Sequence, residues 1–414
     1  MATNCYELRT SFHRNRFRTP FGLFLWAYIL SISLFSYRSG YVVISYVFCG
    51  FLVLAVLLQN KGSISVSILF VYMLCLVSVF GISVFFSINV IQTMRRFITM
   101  LLMFLTCVSI EQGFQKYSSE DVFDFFSSAI VETCMIAFMY DFLIIGPRTY
   151  LGNIIAGLRL REVASQTNVM GVFGSIAFNV IFYDSLVKKK KKNLFLLIVP
   201  FLMVIASQSK KAILCVIAGV FLILGLRYRE KKILGVFLLS FTAALILLST
   251  KMPIFSAILS RFSNAISTYS SNASIVYDWS THNRMMLINE AVSVFRQHPI
   301  VGCGTDCFQF LSSFQAYSHN NYVELLANNG IIGAVAYYWI YIYIIIKSLR
   351  RIIRYHDDSS ILILTITVVT LLLDYGEVSY YNKMTYIYIS WSLIYLKKRD
   401  KEERLQVLKA QNGV

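Results

Sequence analysis

With 414 residues, 57% hydrophobic and only 14% charged, the chain is no soluble globular protein, since such domains carry about 25% charged residues. A net charge of +17 would suggest nucleic acid in a soluble chain. Here it belongs instead to cationic loops on one side of a membrane, and no nucleic-acid partner is expected.

Apolar runs long enough to cross a bilayer recur along the whole chain. They predict an all-α polytopic membrane protein of about 12 spans, at 21–37, 41–58, 64–87, 97–110, 122–145, 167–187, 194–207, 212–226, 233–250, 330–346, 360–373 and 384–396. The organisation is then 1–250 for the first nine spans, 251–329 for one large helical extracytoplasmic loop, and 330–414 for the last three spans and a basic tail. The basic segment Arg9–Arg18 precedes an apolar run without a small-residue cleavage site, which reads as a first span and not as a signal peptide. Most of the 38 lysines and arginines, including Lys188–Lys192 and Lys347–Arg354, then fall on one face. That bias predicts an integral plasma (inner) membrane protein with both termini cytoplasmic and the large loop outside.

The first four spans carry no evident chemistry. The fifth is interrupted by Asp124, Glu132 and Asp141, and each carboxylate needs a partner or a cavity, with structural pairing the plainer reading for Glu132. Three external segments then bring cations to one side. Pro147–Gln166 reads as a loop with Arg148, Arg159 and Arg161; the plainer reading of these is solvated charge. Ser207-Gln208-Ser209-Lys210-Lys211 reads as a tight turn whose two lysines run against the positive-inside bias. An anion at the membrane surface would account for them, as would snorkelling to phospholipid head groups.

The large loop is the longest polar stretch. Within it Asn283–His298 reads as an amphipathic helix, with Arg284, Ile288, Ala291 and Phe295 on one stripe and Pro299 as its stop. Gly302-x-Gly304 reads as a flexible turn, and Cys303 and Cys307 are spaced to permit a disulfide without requiring one. A second helix is expected over Ser318–Asn329, with His319 and Asn320 at an N-terminal end whose amides favour an anion. Gly330 and Gly333 mark a break before the tenth span.

No nucleotide cradle, metal-ligand motif or G-x-S-x-G elbow is present, so no cofactor or metal is expected. What remains is arginine and lysine beside a histidine, a set suited to group transfer from a lipid pyrophosphate to a hydroxyl.

Arg284, then His298-Pro299-Ile300-Val301-Gly302-x-Gly304-x-x-x-Phe308, then Ser318-His319-Asn320-x-Tyr322-x-Glu324-Leu325-Leu326-x-x-x-Gly330-Ile331-x-Gly333 resembles the signature of the O-antigen ligase and Wzy-type O-antigen polymerase superfamily. Gln166-Thr167-Asn168 and Ser207–Lys211 also resemble family segments, although Lys210 stands where arginine is commoner. The resemblance implies a GT-C-like fold and a metal-independent, inverting glycosyltransferase acting on an undecaprenyl-pyrophosphate-linked oligosaccharide among membrane lipids. A flippase and a chain-length regulator are possible partners. It makes His319 and Arg284 catalytic, has Lys210, Lys211, Arg159 and Arg161 hold pyrophosphate, and has Asn320 and Glu324 orient the acceptor. Polymerase is the leading expectation for capsule, exopolysaccharide or O-antigen. Ligase is an alternative with the same donor chemistry, and a transporter of the lipid-linked sugar is one from another class.

Overall fold

The computed structural model describes residues 19–35, 41–60, 66–160, 166–189, 191–228 and 279–411, with Ser260, Ser263, Asn264 and Ile266 besides. The expected ninth span, Arg161 and Asp278 lie outside the described residues.

The described residues form helices and no strand. In chain order these are α1 (Pro20–Phe35), α2 (Val42–Asn60), α3 (Ile68–Ser83), α4 (Val90–Gly113), α5 (Ser119–Ile145), α6 (Pro147–Ile155), α7 (Thr167–Leu186), α8 (Ile198–Ser207) and α9 (Lys210–Tyr228). Then come α10 (Trp279–Gln297), the single turn α11 (Phe308–Leu311), α12 (Asn321–Tyr355), α13 (Ser359–Asp374) and α14 (Lys383–Gln411). Among the described residues seven helices are long and apolar enough to cross a membrane by length and composition, and three shorter apolar helices accompany them. The chain is a polytopic helical membrane protein. One expectation needs correction: the loop after the fifth span holds a helix, α6, started by Pro147 at its first position.

α14 is the hub, packing against α1, α3, α4, α5, α12 and α13 and burying Tyr386, Trp391 and Tyr395. Two carboxylates of α5 have partners, as hydrocarbon requires. Trp26 Nε1 donates to Glu132 at 3.1 Å, and Lys188 meets Asp124 at 2.6 Å. α9 is pinned to α13 at both ends, by Lys211–Glu377 at 3.0 Å and by Arg227–Asp358 at 2.9 Å. These two pairs define two ends of the bundle. At the second end Arg351 is buried among Asp357, Asp400 and Glu403, and Lys397 pairs with Glu111.

The first end is organised by a break in α12. Gly330 has φ 62° and ψ −164°, a conformation nearly confined to glycine. Four backbone groups that a continuous helix would pair are thereby released, and the chain from Pro299 to Gly304 takes all four. Cys303 N donates to Ala327 O at 2.9 Å and Gly304 N to Asn328 O at 3.0 Å. In return Ile331 N donates to Pro299 O at 2.9 Å and Ile332 N to Ile300 O at 3.4 Å. The Gly302-x-Gly304 turn is therefore buried and clamped, which corrects the expectation of a flexible one. The turn beyond it is wedged against α3 and α4: Thr305 N donates to Ser83 Oγ at 2.8 Å and Arg96 Nε to Asp306 at 2.7 Å. Cys303 and Cys307 are buried free thiols.

A Cβ at position 330 would stand 2.2 Å from Ile300 O. Gly330→Ala is expected to cost about 3 kcal/mol or more. In detergent it should lower the midpoint of thermal unfolding sharply relative to Gly225→Ala, where a Cβ meets nothing within 4 Å.

Candidate functional site

Three segments meet at the first end. α10 delivers Arg284, and packs on α12 through Leu287, Ala291 and Val294. Of the expected apolar stripe only Ala291 is fully buried, because the helix meets its neighbour one position away from the face the pattern suggested. The helix ends at Gln297, ahead of His298-Pro299, as the proline dictates.

His319 lies just before α12. Its φ of 57° is left-handed, and the sharp turn lays the imidazole on the Tyr317 ring at 4.2 Å between centroids. Asn320 is the N-cap, its Oδ1 accepting from Tyr322 N at 3.0 Å and Val323 N at 3.3 Å. This corrects the expectation that the helix amides there await an anion, since the cap has already taken two of them. Glu324 is fully buried, accepting from Ser318 N at 2.6 Å and Asn328 Nδ2 at 2.9 Å. Its carboxylate thus holds the turn that carries His319, and Asn320 and Glu324 both orient from below.

Lys211 opens α9. Its Nζ donates to Gly376 O at 2.9 Å and pairs with Glu377 at 3.0 Å. Lys210 is half-buried beside it at the start of the same helix. Arg159, exposed, donates from Nε to Ser207 O at 3.1 Å and from Nη2 to Asn168 at 2.7 Å, so the loop after α6 lies across the turn before α9. Gln208 secures the same crossing, donating to Gly157 O at 2.9 Å from a left-handed φ of 49°.

Two of these groups act on the charge state of His319. Its pKa is lowered from 6.5 to about 4, first by burial and then by the positive charges of Arg284 and Lys211. Arg284 and Lys211 thus both act electrostatically on His319, and Arg159 lies on the turn that adjoins Lys211. An imidazole so placed is uncharged at neutral pH and has a lone pair to accept a proton. The cations around it suit a polyanion whose charge grows as a bond breaks.

Sequence reasoning missed Glu377, the counter-ion of Lys211, and Tyr317, the platform under His319. An acid in the short connection opposite a lysine turn was the available signal for Glu377. Tyr317 carried none, because its role depends on the left-handed turn at the next residue but one. Asp374 was also missed. It is buried at the end of α13, accepting from Asn321 Nδ2 at 3.1 Å and Tyr338 OH at 3.0 Å, and so ties the Glu377 connection to α12.

Residues 195–338 match the family model described as O-antigen ligase, Wzy_C. The matched stretch contains Lys210, Lys211, Arg284 and His319 and ends within α12. Over that stretch the chain is similar to the O-antigen ligase family, as the motif resemblance led one to expect. No curated protein matches the chain.

Carbethoxylation of His319, mapped by mass spectrometry across pH, should report this field, because only neutral imidazole reacts. Reactivity is expected to persist down to a midpoint near pH 4. Arg284→Gln removes a charge that favours the neutral form, so its midpoint should move up toward the ordinary 6.5.

Proposed function

We propose that the chain is a polysaccharide repeat-unit polymerase. In this reading it moves a growing glycan from an undecaprenyl-pyrophosphate carrier to a sugar hydroxyl of a second lipid-linked unit, on the extracytoplasmic face of the plasma (inner) membrane. The observation that supports it best is one imidazole, His319, set in the field of Arg284 and Lys211 at the end of the bundle.

In the proposed step the acceptor hydroxyl attacks the anomeric carbon opposite the diphosphate, giving inversion. A new carbon–oxygen bond forms as the bond to the diphosphate oxygen breaks, and that electron pair leaves with the lipid diphosphate. His319 takes the hydroxyl proton. Arg284 and Lys211 face the oxygens on which charge develops, with Lys210 and Arg159 at the rim. Lys211 must exchange Glu377 for the diphosphate as the donor arrives. An apolar cleft lined by Ile32, Val172, Phe173, Ile176 and Leu373 runs from Glu377 into the bundle, and it suits the first isoprene units of the carrier.

The description of the matched family, O-antigen ligase, favours a second reading in which the same donor glycan passes to a different acceptor. Purified protein supplied with lipid-linked repeat units alone separates the two. A polymerase gives a ladder of products, whereas a ligase gives none until a separate acceptor is added. With whichever acceptor works, His319→Ala and Arg284→Ala should each lower the rate by about 10²-fold or more. Correctly inserted variants that keep full activity would remove the basis of both readings. Lys211→Arg keeps the charge and should stay within about tenfold of the parent, while Lys211→Ala should not.

A further inference from the structure

At the end of the bundle away from His319, α12 and α14 run side by side and bound a groove of about 830 Å³. Its floor is the buried Arg351, which meets Asp400 at 2.7 Å and also Glu403, and Lys347 pairs with Asp400. Its walls add Arg350 and Arg404, with Tyr343, Tyr355, Ile346 and Leu408 among the other lining residues. We propose that this groove binds an anionic phospholipid, the phosphate held by Arg350 and Arg404 and an acyl chain laid along Ile346.

Charge is the first support. Four cations line the groove against two carboxylates, and Lys347 and Arg351 already hold those carboxylates. Arg350 and Arg404 are exposed and make no ion pair with any described residue, so the groove keeps an uncompensated positive face. Two guanidinium groups suit a phosphodiester better than a point charge would.

Depth is the second. From the break at Gly330, α12 rises about 1.5 Å per residue, so Ile346 lies about 24 Å along and Arg350 about 30 Å along; with the break near one edge of a hydrocarbon core about 30 Å thick, Arg350 would stand at the other. Apolar and cationic walls thus follow one another in the order in which a lipid presents its chains and its head group. Tyr343 and Tyr355 bracket that edge, where amphipathic rings settle. Ile346 and Leu408 are 56% and 53% exposed, apolar surface that a bound chain would cover. A soluble acidic protein would satisfy the arginines and leave the apolar surface of Ile346 and Leu408 uncovered.

The test uses the full-length protein in detergent, with native mass spectrometry and thermal unfolding as readouts. Dioleoyl phosphatidylglycerol should be retained at least fivefold better than dioleoyl phosphatidylcholine and should raise the unfolding midpoint. The double variant Arg350→Gln/Arg404→Gln, altered only at exposed positions, should retain the two lipids alike while unfolding at the parent's lipid-free midpoint. Equal retention of both lipids by the parent protein would overturn the proposal, as would an unchanged preference in the variant. Millimolar inorganic phosphate should neither displace the lipid nor protect. If it does both, the groove is a site for the free ion and the lipid assignment fails.

Discussion

The break in α12 at Gly330 is the constraint on which the functional end of the molecule rests. A helix interrupted inside an apolar bundle leaves carbonyls and amides that hydrocarbon cannot solvate, and each unpaired group costs several kcal/mol. Pro299–Gly304 satisfies them in two matched pairs, Cys303 and Gly304 donating to the upper half-helix and Pro299 and Ile300 accepting from the lower. The loop is therefore stitched into the membrane domain by backbone bonds, and its course cannot change without exposing the helix ends. Asn328 extends the seam, its Oδ1 accepting from Cys307 N at 2.9 Å and Phe308 N at 2.7 Å.

From that seam the rest of the end follows. The half-helix above the break starts at Asn321 under its Asn320 cap, and the turn before it is gripped by Glu324, so His319 has a defined place. α10 packs on this half-helix and carries Arg284. α9 is set by a different device, the two ion pairs that fasten its ends to α13. One of those pairs holds Lys211, so a contact that positions a helix also supplies a cation near the imidazole. The resting site is electrostatically poised: Lys211 has a carboxylate partner, and His319 is kept neutral by burial and by positive neighbours.

Particular residues show how far the chain could be read. His298-Pro299 was legible as a helix stop and Gly330 as a break, because proline and glycine act through their own backbone limits wherever they stand. Each expected span but the ninth overlaps a helix, a pattern legible from apolar length, and seven of the described helices are long and apolar enough to cross a membrane. His319, Arg284 and Lys211 were legible as titratable groups in polar segments between apolar runs. The Gly302-x-Gly304 turn was misread as flexible because nothing local shows that Asn328 and Ser87 press against it. Glu377 and Tyr317 were invisible, since each matters only through a neighbour distant in sequence or through an unusual backbone angle.

What the sequence determined by itself is the class of molecule and the kinds of chemistry available. Hydrophobic length, charge asymmetry and the breakers are properties of the chain and need no partner to act. Which groups meet was decided only by tertiary structure: that Lys211 answers to Glu377, that Asn320 caps instead of waiting for an anion, that Pro299–Gly304 completes a broken helix. The physical reason is that a hydrogen bond or an ion pair in a bilayer depends on what lies within about 3 Å. Residues brought that close across the bundle are commonly scores of positions apart along the chain.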